Sequence, residues 1–414
     1  MARIADVSLF RGWHVVIGVF VTLAVTAGLG FYNASVILQA ARTELDTSVS
    51  AVSGATALFF GISGVVSFLA GPLMDRFDVR WFYVAGGILG AASLAGLRWV
   101  NSVVLLYVFF AFFGAGFALA GLVPGTSVVA RWFTVRRSVA LSIATTGLSV
   151  GGIAITPVAS ALIDDRALAG AGPLLAGAWL VGVIPIALLL IRSTPTDLGL
   201  SPDGVSSTEL TSHTRGATFL QARRTRFFLF LAITYALVFT AQVGALAQLV
   251  NAGTERVDKA AATAALSSLA LASVIGRLVG GVVVTRLSPL RMTMALILLQ
   301  SVALVLLAFA DTRTALIGAS VILGLSVGNL LMLQPLLLAD AFGVVEYSRI
   351  YSYGQLFATA GVAAGPFVLG VVRDLASYQL AFLVGAGTNF VAVATLALAG
   401  SVHAARASWE PALG

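Results

Sequence analysis

GPLMDRFDVR (71–80) and GVVVTRLSPLR (281–291) are two polar stretches in a chain that is otherwise almost continuously apolar, and their likeness decides the fold. Each follows an apolar run long enough to cross a bilayer. Each carries a Gly, an Arg five residues later and a further Arg where the next apolar run begins: Gly71, Arg76 and Arg80 in the first, Gly281, Arg286 and Arg291 in the second. A polar loop repeated between membrane spans predicts a duplicated bundle. The copies are unequal, because Thr285 stands where the first has Asp75 and Arg291 is displaced by one position.

Outward from these loops, apolar runs of about 20 residues match the helix length needed to span ~30 Å of hydrocarbon. They fall at 13–38, 50–70, 82–100, 103–128, 138–162 and 168–191, then at 227–250, 260–284, 289–310, 315–338, 350–372 and 378–400. The expected fold is an all-α integral membrane protein of twelve transmembrane helices in two six-helix pseudo-symmetric halves, 1–191 and 227–414. Segment 192–226, with Pro195, Gly199, Pro202, Gly204 and the basic cluster Arg223, Arg224 and Arg226, is the expected linker loop. Composition agrees. The 414 residues are 59% hydrophobic and 10% charged, with a mean hydropathy of +1.01, whereas a soluble domain carries about 25% charged residues.

With both termini placed in the cytoplasm, the inner side holds 16 of the 24 basic residues, the outer loops 7, and one span the last. That asymmetry follows the positive-inside rule and accounts for the net charge of +7 without a nucleic-acid partner. The chain has no Cys, and its three His (His14, His213, His403) lack metal-ligand spacing, so no metal or other cofactor is expected. The start, MARIADVSLFRGW, has neither the apolar core nor the cleavage site of a signal peptide. Because 23 of the 24 basic residues are Arg, a GC-rich bacterial source is expected, with the protein in the inner membrane.

The exceptional basic residue is Arg277, in LSSLALASVIGRLVGGVVV (266–284). A guanidinium stays protonated in proteins, and placing one at bilayer depth costs at least about 2.5–3.5 kcal/mol on insertion scales. Arg277 lies eight residues from Thr285, roughly 12 Å of helix, against a hydrocarbon half-thickness of about 15 Å. A fixed cation so near the midplane is expected to meet an anion. Ala270, Ser273, Gly280 and Gly281 share its helical face and leave space for a small solute or a close helix neighbour. The blander alternative is a tight helix seam in which Arg277 simply bonds a carbonyl. One formal cation suits a monoanion, since a dianion would leave a charge unpaired in low dielectric.

The loop at 71–80 resembles the G-x-x-x-D-R-x-x-x-R loop of the major facilitator superfamily through Gly71, Asp75, Arg76 and Arg80. Four further segments are similar to the monocarboxylate transporter family and its bacterial oxalate/formate-type relatives. They are RGWHVVIGVF at span 1, VVARWFTVRRSVALSIATTGLSVGG (128–152), RSTPTDLGLSPDG (192–204) and DAFGVVEYSRIYSYGQ (340–355). The resemblance implies a secondary transporter working by alternating access, not an enzyme. It implies that Arg277 binds a substrate carboxylate with Ser273 beside it, and that Asn33, Gln242 and Asn329, on cavity-lining spans, and Tyr32 contribute neutral contacts. It also implies that Gly71, Asp75, Arg76 and Arg80 gate the cytoplasmic side.

The chain departs from that pattern in three places. Ser273 stands where members often carry Asp, no basic residue occurs at or beside Phe357 in span 11, and span 1 offers Asn33 and Ala34 in place of a Lys. The expected cargo is therefore a small monoanion of lactate or pyruvate size, with or without a proton, carried by a monomer in the lipid bilayer. Proton symport follows from the resemblance; an anion exchanger of the oxalate/formate type and, further off, an efflux carrier are the alternatives. A membrane receptor would need a soluble domain, which the sequence does not offer.

Overall fold

The computed structural model describes residues 10–47, 49–204 and 216–409. Residues 1–9, residue 48, linker residues 205–215 (with His213 and Arg215) and residues 410–414 lie outside the described residues. Among the described residues all regular structure is helical. The first half comprises α1 (Arg11–Glu44), α2 (Val49–Met74), α3 (Val79–Gly96), α4 (Val103–Trp132), α5 (residues 137–166) and α6 (residues 168–190). The second comprises α7 (Arg226–Arg256), α8 (Lys259–Val283), α9 (Pro289–Ala308), α10 (Arg313–Phe342), α11 (Tyr347–Leu375) and α12 (Tyr378–Ala399). Helices stand at all twelve expected places; among the described residues ten helical stretches, with 137–190 as one and Val79–Gly96 not among them, are long and apolar enough to cross a membrane. Spans five and six join without a loop, separated only by Ala167 in the left-handed region at φ 56°.

Local chemistry fixes the helix starts. Ser102, Thr225, Asp258, Thr312 and Ser377 each accept a backbone N–H of the first turn, satisfying a donor that a helix start otherwise leaves unpaired. Two helices are distorted by single π-turns, α1 at Ala27–Tyr32 and α5 at Gly151–Ile155. The π-turns face each other: Thr156 Oγ1 donates to the Gly28 carbonyl at 3.0 Å, and a Cβ on Gly151 would run into the Ala24 carbonyl. An inserted π-turn shifts the register of everything after it, and Tyr32 and Asn33 stand at that boundary.

Large apolar side chains such as Leu69, Val104, Phe112, Val181, Leu271, Val279, Phe367 and Phe390 are exposed on the outside of the bundle, as a lipid-facing surface requires. Inside the first half, Phe59, Phe109, Phe110, Phe113 and Trp179 form a connected set of ring contacts. The halves meet mainly along α2 against α11 and α5 against α8.

Candidate functional site

Arg277 is 1% exposed and sits where α8 crosses α5. Its Nε donates to the Gly328 carbonyl of α10 at 2.8 Å, and its Nη1 donates to the Thr145 carbonyl of α5. The guanidinium thus touches both halves. Two of its five N–H donors are used, and the other three, including both on Nη2, bond to nothing among the described residues. The seam alternative is thereby half realised: carbonyls hold the Arg in place, but carbonyl dipoles do not neutralise its charge. The side chain is pre-oriented with donors to spare.

Close packing on both sides sets this position. A Cβ on Gly280 would run into Asn329, one on Gly328 into the Ser273 carbonyl, and one on Gly281 into Ser142. The small face around Arg277 is therefore filled by neighbouring helices, and the expected free room at Gly280 and Gly281 is absent. Ser142 Oγ donates to the Arg277 carbonyl at 2.5 Å, and Ser149 Oγ lies 3.4 Å from Ser273 Oγ across the same crossing.

The other expected contact residues divide. Ser273 lies a turn from Arg277, bonded to Ser149. Asn329 lies against the Arg277 helix, but its amide nitrogen is spent on the Gly276 and Leu325 carbonyls at 2.8 and 2.9 Å, and its Oδ1 is buried without a partner. Tyr32 is 40% exposed and within electrostatic reach of Arg277. Asn33 is sealed, with neither amide atom bonded, and the Gln242 Oε1 is likewise buried and unpartnered. Neither bonds to the Arg277 cluster. A sequence reading cannot rank Tyr32 above Asn33, because the π-turn that ends at Tyr32 sets which of the two is exposed and which is buried.

At the linker end, Asp75 accepts Arg131 Nη2 at 2.8 Å and the backbone N–H groups of Ser348 and Arg349 at 3.1 and 3.0 Å. A carboxylate from the first half therefore caps the start of α11 in the second. Arg131 Nη2 also donates to Ser348 Oγ at 2.9 Å. A Cβ on Gly71 would run into Ser352 Oγ, which explains the Gly. Of the expected gating residues, Asp75 pairs with neither Arg76 nor Arg80. Arg80 turns back to Asp78 at 2.5 Å, Arg76 makes no ion pair among the described residues, and Arg131 takes their place. Geometry decides this: Asp78 caps the helix on which Arg80 sits and meets its guanidinium locally. Burial works against the Asp78 carboxylate, but bonds from Arg80 and Ser193 outweigh it and hold its pKa below the usual range.

A second cross-half ion pair joins Arg137 Nη1, at the start of α5, to Asp340 Oδ1, at the end of α10, at 3.3 Å. Sequence reasoning missed Arg131 and Asp340 as partners, although a signal was present. Each stands two residues before a Phe, Phe133 or Phe342, that closes the corresponding helix of its half, and the two carry opposite charges. Among the described residues, hydrogen bonds between the halves run from this end up to the Ser149–Ser273 pair and no further.

The sequence matches the profile of the Major Facilitator Superfamily over residues 20–256 and again over 254–411. It is 26% identical over 387 residues to monocarboxylate transporter 13 of Rattus norvegicus, covering 92% of this chain and 87% of that protein. It is 23% identical over 412 residues to an MFS-type transporter of Gibberella moniliformis, covering 94% and 91%. Among solved structures it is similar to the transporter FucP in the outward conformation, with a TM-score of 0.71 at 18% identity over 95% of this chain and 99% of that one. It is also similar to the human organic anion transporter MFSD10, with a TM-score of 0.70 at 15% identity over 93% and 99%. The duplicated bundle, its cross-half contacts and these matches together place the chain in the Major Facilitator Superfamily, as a membrane transporter and not an enzyme.

Proposed function

We propose that this protein carries a small organic monocarboxylate, of lactate or pyruvate size, across a bacterial inner membrane by alternating access, working as a monomer. The observation that carries the reading is Arg277, a permanent cation at roughly bilayer mid-depth, held between the halves with three donors unspent. A carboxylate is the planar partner that a guanidinium fork fits, and the name of the relative in Rattus norvegicus supports the same class. Basic residues crowd the end bearing the linker, so that end is assigned to the cytoplasm with both termini, and the bonded state described above is outward-facing. Tyr32 and Ser273 are assigned as neutral contacts for the substrate, with Asn33, Gln242 and Asn329 as further ones.

Proton symport is the coupling that the resemblance suggests. The second reading is anion exchange, and one observation favours it: the nearest partner of Ser273 is the hydroxyl of Ser149, and no carboxylate bonds Arg277 among the described residues. Uptake of labelled mono- and dicarboxylates into proteoliposomes tests the class. Monocarboxylates should be taken up and should compete with one another; a panel in which oxalate or malonate outcompetes every monocarboxylate contradicts the site. An imposed inward proton gradient, with the potential clamped and no internal anion, separates the couplings. Accumulation under the gradient alone supports symport, and accumulation only with internal anion supports exchange.

A further inference from the structure

Apart from Ser193, which bonds Asp78, RSTPTDLGLSPDG (192–204) has no part in the site described so far, yet its last carboxylate does something specific. Asp203 Oδ2 accepts the backbone N–H groups of Thr134 and Val135 at 2.6 and 2.7 Å, and Oδ1 accepts that of Arg136 at 3.2 Å. These amides form the turn that enters α5. The peptide group between Phe133 and Thr134 is used on both sides. Its N–H goes to Asp203, and its carbonyl accepts Arg137 Nε at 2.9 Å. Arg137 then reaches Asp340 in the other half. A continuous chain therefore runs from the linker carboxylate through one peptide group and a guanidinium to the second half. A carboxylate on the N–H side polarises the peptide and makes its carbonyl a better acceptor.

The far end of the linker grips the matching peptide of the second half. Ala217 N donates to the Phe342 carbonyl at 2.8 Å, and Phe219 N donates to Glu346 Oε2 at 2.9 Å. Arg349, next to the Asp75 contact, lies over the Phe219 ring at 4.6 Å. Asp203 also holds a left-handed backbone, φ 56°, a conformation that costs free energy outside Gly. A Gly would relieve that cost, so the carboxylate is what the position keeps.

We propose that Asp203 is a positioning residue for linker-end closure: it sets the Phe133–Thr134 peptide and thereby aims Arg137 at Asp340, so that the linker takes part in the conformational cycle. The inference rests on the alternating-access reading but not on the identity of the substrate.

The chain contains no Cys, so a single cysteine introduced as Ser138→Cys, on the first turn of α5, reports opening at this end without background. Its labelling by a water-soluble maleimide in proteoliposomes should rise roughly five-fold or more with Asp203→Asn, as expected when a charge-assisted hydrogen-bond set is lost. Asp203→Gly should do the same although its backbone is relieved of strain, which separates loss of the carboxylate from a folding defect. In an Asp340→Asn background, which already opens the end, either change should add nothing, whereas independent effects would add. Labelling unchanged in both Asp203 variants at normal membrane abundance overturns the proposal, and so does full additivity with Asp340→Asn. A transporter that proves to carry a different substrate leaves the labelling result intact, so the two readings fail separately.

Discussion

The two crossings between the halves, α2 against α11 and α5 against α8, are built on one plan and loaded differently. In each, a Gly in the last turn of a helix lies against a Ser of the opposing helix: Gly71 on Ser352, Gly281 on Ser142. The first crossing adds charge, with Asp75 capping α11 and paired to Arg131. In the second the corresponding loop position is Thr285, and the residue matching Arg131 is Asp340. The charge has been inverted at the helix end and dropped from the loop. Freed of the loop carboxylate, the α5/α8 crossing carries Arg277, which is tied to the Thr145 carbonyl of the other half. The first crossing is built around a buried ion pair and a carboxylate cap; the second carries the candidate substrate site and lies beside the Arg137–Asp340 pair.

Substitutions can break this contrast. The largest effect is expected at Arg277. Arg277→Lys should lose at least about ten-fold in uptake, because a point ammonium cannot keep the Gly328 and Thr145 carbonyls and offer a two-pronged face to a carboxylate. Near-normal uptake by that variant would reduce Arg277 to a seam residue.

Asp75→Asn comes next. Removing one partner of a buried pair costs up to about 3–5 kcal/mol, here set against the closed linker end only. Linker-end accessibility should rise by ten-fold or more and uptake should fall, with substrate competition constants little changed. Accessibility equal to wild type would break the assignment of the first crossing as a latch.

Thr285→Asp sharpens the comparison, since restoring the first-half pattern should not strengthen the second crossing. The matched partner there is Asp340, so the added carboxylate should weaken closure by a modest factor, about two- to five-fold in accessibility, as like charges do. Tighter closure would show that the charge inversion is incidental. The smallest effect is expected from Arg80→Gln, because Arg80 bonds Asp78 on its own helix start. With the Asp78 pKa depressed, the contribution of that pair is present above the ordinary carboxylate range and lost only as pH falls through the lowered value. Arg80→Gln should therefore lose that local contribution from neutral to mildly acidic pH, while transport stays near wild type because the pair does not join the two halves.

Much of this was legible in the sequence because bilayer physics is strict. Twenty-residue apolar runs, the duplicated Gly–Arg loop and a lone midplane Arg each have few physical explanations, and the spans, the halves and the buried Arg277 followed from them. The contacts were less legible where the decision is three-dimensional. Nothing in FYNAS (31–35) reveals that a π-turn exposes Tyr32 and seals Asn33. Asp75 and Arg80 are neighbours in sequence, yet a local cap claims Arg80 and a distant helix end supplies Arg131. The small face of α8 read as room for a solute, while in the fold Ser142 and Asn329 occupy much of it.

The most direct test of the division between site and latch is equilibrium binding of a labelled monocarboxylate to purified wild-type protein, Arg277→Gln and Asp75→Asn. Binding should be abolished in Arg277→Gln and retained in Asp75→Asn, whose defect lies in the conformational cycle. Wild-type binding by Arg277→Gln, or loss of binding in Asp75→Asn alone, would contradict the account.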